Sequence, residues 1–258
     1  IVTWEWFEEH RIRSWVYVLP YIGLFQVGKL LNINAASWAG AYFSTGPRLL
    51  TAIITAFGDV MLFLLAKRIA SRSQTMNVGS GSGKKSTNLN TTSQLTAITT
   101  LLIYLSFWSV MYMCTRTLAN SFENFALIFV WYYWEHSARR RMSMSVSHDG
   151  DYGVAEITRS YYEKIAIGAM VISTWARPTA ACFYFTLIIA RIKVCGFSRL
   201  VTNIFLTVLS TLALCTCVDM YFYDADKPLC PSFNFLYKNI YLGYSSLFGV
   251  TPHTWNVY

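Results

Sequence analysis

Six apolar runs, at about 15–31, 49–66, 95–114, 117–134, 165–190 and 200–223, occupy most of this chain, and most approach the roughly 20 residues a helix needs to cross a bilayer. In hydrocarbon every backbone N–H and C=O must find its partner within the protein, and a helix supplies those partners locally. The expected class is therefore all-α: a polytopic transmembrane helical bundle, one domain over residues 1–258, with at least four spanning helices. Composition agrees, since 54% of the residues are hydrophobic and only 13% charged, about half the charged share of a soluble domain. Nine Trp and seventeen Tyr suit the level where hydrocarbon meets headgroup.

The run at 165–190 is broken by Arg177-Pro178, and an Arg at mid-bilayer costs at least about 2.5 kcal/mol on insertion scales. Two helices meeting at a membrane surface account for it better than one. Lys and Arg then set the orientation, because short basic loops stay cytoplasmic. Thirteen of the twenty-one basic residues lie in three connections: Lys67, Arg68, Arg72, Lys84 and Lys85; Arg139, Arg140, Arg141, Arg159 and Lys164; Arg191, Lys193 and Arg199. If these face the cytoplasm, then Thr115–Asn120, the turn at Arg177–Thr179 and everything after Asp219 face the other side. Residues 1–48 join them, provided that the 15–31 run lies in the interface or re-enters rather than spans; Pro20, Gly23 and Gly28 suit that. Asn90-Thr91-Thr92 is a glycosylation sequon on the expected cytoplasmic side, so a glycan there would reverse this topology.

The net charge of +8 does not point to nucleic acid, because the basic residues fall in short runs between apolar stretches. Residues 71–94 read as a flexible cytoplasmic linker around Gly79-Ser80-Gly81-Ser82-Gly83. Its likeness to a phosphate-binding loop fails, with Val78 in place of the first Gly and Lys85 where Ser or Thr is required. Residues 135–164 read as a cytoplasmic loop whose His148-Asp149-Gly150-Asp151 is solvated, and 224–258 as a loop on the opposite side. The six Cys sit mostly within apolar runs, and Cys215-Thr216-Cys217 lacks the spacing of a metal or redox motif. No metal and no cofactor is implied.

Four polar clusters remain, all on the expected non-cytoplasmic edge: Thr3-Trp4-Glu5-Trp6 with Arg11-Ile12-Arg13-Ser14; Thr115-Arg116-Thr117 through Asn120 to Glu123; Arg177-Pro178-Thr179; and Ser232-Phe233-Asn234 through Thr251-Pro252-His253. Singly each is ordinary, for an Arg near a helix end usually snorkels to headgroups and a Trp-rich edge is usually an interfacial belt. Together, several guanidinium groups at one membrane surface suit a lipid-linked phosphate, which planar forks bind through paired hydrogen bonds.

In their order these motifs resemble the GPI mannosyltransferases of glycosyltransferase family 22, multispanning enzymes of the GT-C fold. The likeness runs from Arg11-Ile12-Arg13-Ser14-Trp15 and Pro47-Arg48-Leu49 with Asp59, through Cys114-Thr115-Arg116-Thr117-Leu118-Ala119-Asn120 and Arg177-Pro178-Thr179-Ala180. It ends on Ser232-Phe233-Asn234-Phe235-Leu236-Tyr237-Lys238-Asn239 with Gly249-Val250-Thr251-Pro252-His253-Thr254-Trp255. The 71–94 linker and the Val250–Thr254 segment depart from the family pattern. The resemblance implies a multi-pass protein of the endoplasmic reticulum membrane that moves mannose from dolichyl phosphate mannose onto a GPI precursor glycolipid. The last motif favours the members that add the third, alpha-1,2-linked mannose to the second mannose. Other steps of the family, including the fourth GPI mannose and lipid-linked oligosaccharide assembly, stay open.

On that resemblance Arg48, Arg116 and Arg177 hold the donor phosphate, while Glu5, Arg11, Arg13, Asn120, Asn234 and His253 line the rest of the site. The family's general base, the Asp of a His-Pro-Asp-Glu motif, is expected upstream of Trp4, and the chain is expected to be a fragment lacking it. A transporter, for which Asp59 and Asp219 would mark an ion path, and a non-catalytic membrane subunit are the readings of another class.

Overall fold

A computed structural model describes residues 11–33, 39–77, 86–106, 119–144, 152–195 and 197–243. After a 3-10 turn at Val16–Val18 come α1 (Leu19–Leu30), α2 (Ala39–Asn77), α3 (Ser86–Ser106), α4 (Ala119–Met144), α5 (Tyr152–Ala176), α6 (Ala180–Cys195) and α7 (Phe197–Tyr223). The six-residue α8 (Pro231–Leu236) runs into a π turn at Tyr237–Tyr241. Among the described residues there is no strand, as the all-α expectation requires.

The split expected at Arg177-Pro178 is present. Proline disfavours helical backbone in the residue before it, so α5 stops at Ala176, and the turn is closed by Ala180 and Ala181 donating to the carbonyls of Arg177 and Pro178, both at 3.1 Å. Helix enters both ends of the 71–94 segment, with α2 continuing to Asn77 and α3 starting at Ser86, while its Gly/Ser centre at 78–85 lies outside the described residues. The 135–164 segment is likewise helical through Met144 and again from Tyr152.

Among the described residues two helices are long and apolar enough to cross a bilayer by length and composition, α2 over Ala39–Ser73 and α7 over Ile204–Tyr223, where four or more were expected. The shortfall has a physical source. α4 and α5 carry charges that lower their mean hydropathy, yet four of those charges are held in three ion pairs: Arg72 with Glu135 at 2.8 Å, Arg159 with Glu163 at 3.4 Å, and Arg177 with Glu123 at 2.9 Å. A helix whose charges face other helices and are paired tolerates burial that its composition argues against. α1, at 12 residues, is about 18 Å long, well short of a hydrocarbon core of about 30 Å, which fits a run that does not span.

α4 and α5 lie side by side, α2 packs on α4 and on α3, and α7 packs on α5 with α6 beside both. Their shared core is Val130 and Trp134 of α4, Ala166, Ile167 and Met170 of α5, and Ala180 and Tyr184 of α6. Small residues let the backbones approach: an added Cβ on Gly58 of α2 would come 3.2 Å from the Phe125 ring of α4. Hydroxyls inside the bundle donate to their own helix, as Thr55 does to Thr51 O at 2.8 Å and Thr211 to Thr207 O at 2.7 Å. Outward, α2 exposes Ile53, Phe57 and Val60, α3 exposes Leu95, Leu102 and Ile103, and α7 exposes Phe205, Leu206, Leu209 and Leu214. Apolar bands of this extent on three helices belong against lipid.

α1 folds back antiparallel on the first part of α2. The Tyr21 and Thr51 hydroxyls meet at 2.8 Å, Thr51 also donates to the Pro47 carbonyl at 2.9 Å, and the Tyr42 hydroxyl donates to Leu24 O at 2.7 Å. Gly28 makes the approach possible, since a Cβ there would fall 2.5 Å from Cε1 of the Tyr42 ring, which its hydroxyl bond holds in place. Gly28→Ala is expected to cost about 1–2 kcal/mol by overpacking, seen as a lower melting temperature of the detergent-purified protein. Gly23→Ala, where nothing lies within 4 Å of the added carbon, is expected to leave it unchanged.

Candidate functional site

Three of the four polar clusters meet, through described residues, at one end of the bundle, and the fourth joins them through Glu123. Residues 11–14 are non-helical and alternate: Ile12 and Ser14 are buried while Arg11 and Arg13 are half-buried, the pattern of an extended segment with one face against protein. Arg11 holds a left-handed φ of 44°, a conformation that costs a side-chain-bearing residue about 1 kcal/mol or more and needs surrounding structure to fix it. That structure is present. Asn234 of α8 donates from Nδ2 to the Arg11 carbonyl at 3.3 Å, the Tyr223 hydroxyl donates to the Arg13 carbonyl at 2.6 Å, and the Arg11 guanidinium lies 5.8 Å over the Tyr223 ring.

Beneath this segment lies Asp219, fully buried four residues before the end of α7. Its Oδ1 accepts the Trp15 backbone N–H at 2.6 Å, its Oδ2 accepts the Trp175 indole N–H at 2.6 Å, and the Ser14 hydroxyl reaches both oxygens at 3.0–3.2 Å. The Trp15 ring stacks on Phe222 with centroids 5.2 Å apart, so the segment 11–15, the end of α5 and the end of α7 share one joint. Ser232, at the start of α8, donates to the Trp175 carbonyl at 2.6 Å and ties the chain after α7 to the same place.

Two residues past Trp175, the Arg177 guanidinium pairs with Glu123 of α4 at 2.9 Å, and Thr179 donates to the other carboxylate oxygen at 3.2 Å. The Arg177 side chain is 26% exposed, and its planar fork is held on one side by Glu123. Next to the pair, Glu123, Asn124, Phe183 and Tyr184 line a cavity of about 220 Å³ between α4 and α6. On the far side of Tyr184 a larger cavity of about 340 Å³, walled by Ile167, Met170, Trp175, Phe185, Ile204 and Val208, runs between α5, α6 and α7. Its walls are almost wholly apolar, with Ser232 of α8 among the lining residues.

Of the residues singled out in the sequence, Arg11, Arg13, Arg177 and Asn234 are thus gathered at this end. Arg48 is exposed on α2, beside the contact of α1 with α2, and none of the ion pairs among the described residues includes it. Glu5, Arg116 and His253 lie outside the described residues, as does the side chain of Asn120, the second residue of α4. What the sequence reading lacked was the Asp219 joint and the pairing role of Glu123. A carboxylate inside an apolar run was the available signal, for a charge there must find partners, but nothing local names Ser14 or Trp175 as those partners.

The chain matches the family model described as the Alg9-like mannosyltransferase family over residues 1–258. It is 26% identical over 261 residues to human GPI alpha-1,2-mannosyltransferase 3, covering 98% of this chain and 37% of that protein. The proteins of that name from Bos taurus and Mus musculus are 26% and 25% identical over 61% and 55% of this chain, and 24% and 21% of theirs. The chain therefore spans well under half the length of the curated relatives it matches. No solved structure gives a significant match.

Proposed function

The chain belongs to the Alg9-like mannosyltransferase family, and we propose that its gene product is an alpha-1,2-mannosyltransferase of GT-C architecture in the endoplasmic reticulum membrane. The donor is dolichyl phosphate mannose and the acceptor is the second mannose of a GPI precursor glycolipid. The observation that supports this reading is that the Arg177–Glu123 pair and the Arg11–Asn234 contact lie at the end of the bundle where Trp175 and Ser232 line an apolar cavity. A lipid phosphate needs a cation at the surface and an apolar channel behind it; here Trp175, two residues before Arg177, is part of the cavity wall. This end faces the lumen, and the 71–94 and 135–164 segments face the cytoplasm.

In this reaction the acceptor 2-hydroxyl oxygen bonds to C1 of the donor mannose as the bond from C1 to the phosphate oxygen breaks. The phosphate leaves with the electron pair, and the hydroxyl proton passes to a carboxylate base. Negative charge grows on the departing phosphate, and a fixed guanidinium stabilises that growing charge more than the ground state, which is what accelerates transfer. Arg177 takes that role, with Arg48 and Arg116 as further phosphate ligands. Glu5, Arg11, Arg13, Asn120, Asn234 and His253 serve the rest of the substrate site. None of the four His of the chain (His10, His136, His148, His253) is followed by Pro, so the base of a His-Pro-Asp-Glu motif belongs to a part of the gene product outside residues 1–258.

Expression of the complete gene product in cells lacking the enzyme of the third mannose step is expected to restore GPI-anchored proteins at the surface and to clear the accumulated two-mannose precursor. Persistence of that precursor despite normal expression contradicts the assignment to this step; rescue of a fourth-mannose mutant instead would move the protein to a neighbouring step.

A further inference from the structure

Ser14 and Asp219 stand 205 residues apart in sequence, yet their side chains form the most deeply buried polar contact at the functional end. Three donors meet the Asp219 carboxylate: a hydroxyl, a backbone amide and an indole N–H, at 2.6–3.2 Å. Each comes from a different place, Ser14 and Trp15 from the entry segment and Trp175 from the end of α5. With the Arg13 carbonyl held by Tyr223 and the Arg11 carbonyl by Asn234, the backbone from 11 to 15 is fixed at four points. Ile12 and Ser14 are thereby turned into the bundle, which leaves Arg11 and Arg13 on the opposite, more open face.

We propose that Asp219 is a positioning residue of the transfer site: through Ser14, Trp15 and Trp175 it sets the segment that carries Arg11 and Arg13 against the Arg177 turn, and so fixes the spacing of cations that receive the glycolipid acceptor. The same indole that donates to Asp219 forms a wall of the apolar cavity, so the lipid channel and the Arg-bearing segment are registered to one carboxylate. Asp219 itself has no open face toward a ligand, being fully buried, and acts through its neighbours. The inference rests on the function proposed above and deepens it.

The test uses the complete protein in detergent or liposomes, with three variants. Asp219→Asn puts an amide N–H₂ opposite either the Trp15 amide or the Trp175 indole, donor against donor. Trp175→Phe removes the indole donor while keeping a ring in the cavity wall, and Ser14→Ala removes only the hydroxyl. The expected result is a KM for the two-mannose GPI acceptor raised about tenfold or more in Asp219→Asn and Trp175→Phe, with a smaller rise in Ser14→Ala, because misplacement of binding groups by about 1 Å costs that much or more. The kcat per folded protein stays near the wild-type value. In the double variant Asp219→Asn/Trp175→Phe the two effects are less than additive, as partners in one hydrogen bond require.

A purely structural role lowers the yield of folded protein and leaves KM untouched, and that outcome overturns the proposal. If Asp219→Asn does not fold, Ser14→Ala and Trp175→Phe decide it by the same criterion. Equilibrium binding of the two-mannose acceptor, measured without donor, separates the two layers of the argument. Wild-type transfer with unchanged acceptor affinity in the variants overturns the positioning role alone, whereas a wild-type protein that neither binds nor transfers overturns the function as well.

Discussion

Arg177→Ala in the complete gene product is expected to lower mannose transfer by about two to three orders of magnitude, the scale seen when one preorganised group that stabilises developing negative charge is removed. The loss has two parts. The departing phosphate loses its fixed cation, and the Glu123 carboxylate, now without the guanidinium at 2.9 Å, adds negative charge beside the place where the phosphate must sit. The second part distinguishes this account from one in which Arg177 merely anchors a helix end. Glu123→Gln in the Arg177→Ala background is expected to recover part of the activity, since it removes the repulsion without restoring the cation. Arg177→Lys should recover little, because an ammonium presents no planar fork to both Glu123 and a phosphate. Membrane insertion and expression level should be unchanged in all three, as Arg177 lies in the turn between α5 and α6. Equal transfer rates per folded protein in wild type and Arg177→Ala would remove Arg177 from the site.

The largest effect on stability is expected at the other end of α5. Arg159 and Glu163, one helical turn apart, are each only 3% exposed and pair at 3.4 Å. Glu163→Ala leaves a buried guanidinium without its carboxylate, and breaking a buried pair from one side costs about 3–5 kcal/mol. Replacing both partners with residues of similar bulk, Arg159→Met with Glu163→Leu, is expected to cost far less than the single change, because no charge is then stranded. Nearby, Arg72 pairs with Glu135 at 2.8 Å and the Arg68 guanidinium sits 5.1 Å over the Tyr132 ring, so this end of α2, α4 and α5 is held by charge where the opposite end is held around Asp219. Thermal unfolding of the purified protein in detergent measures the difference. A single variant as stable as the double would mean that the pair contributes nothing.

What the sequence made legible were the features set by local rules. Arg177-Pro178 divides one apolar run into α5 and α6 because proline acts on the residue before it, and the runs themselves mark where helices form. Hydropathy was a poorer guide to which helices cross a membrane. It counts Glu123, Glu135, Arg159 and Glu163 as costs, whereas in the folded chain each of them meets an opposite charge. The polar edge clusters were placed on one side by counting basic loops, and contacts as distant in sequence as Asn234 with Arg11 are consistent with that grouping. The Asp219 joint was not legible, because its partners lie 44 and 205 residues away and are ordinary members of apolar or Trp-rich stretches until the chain closes. Arg48 is exposed on the part of α2 that packs beside α1, a position that its motif order alone does not give.

The most direct test of the central claim is transfer itself. The complete gene product, purified and reconstituted, is given dolichyl phosphate mannose and a GPI precursor bearing two mannoses. The account predicts a three-mannose product whose new linkage is alpha-1,2, with one dolichyl phosphate released per mannose moved and the rate collapsing in Arg177→Ala. Intact donor and unextended acceptor after incubation with folded wild-type protein would contradict it.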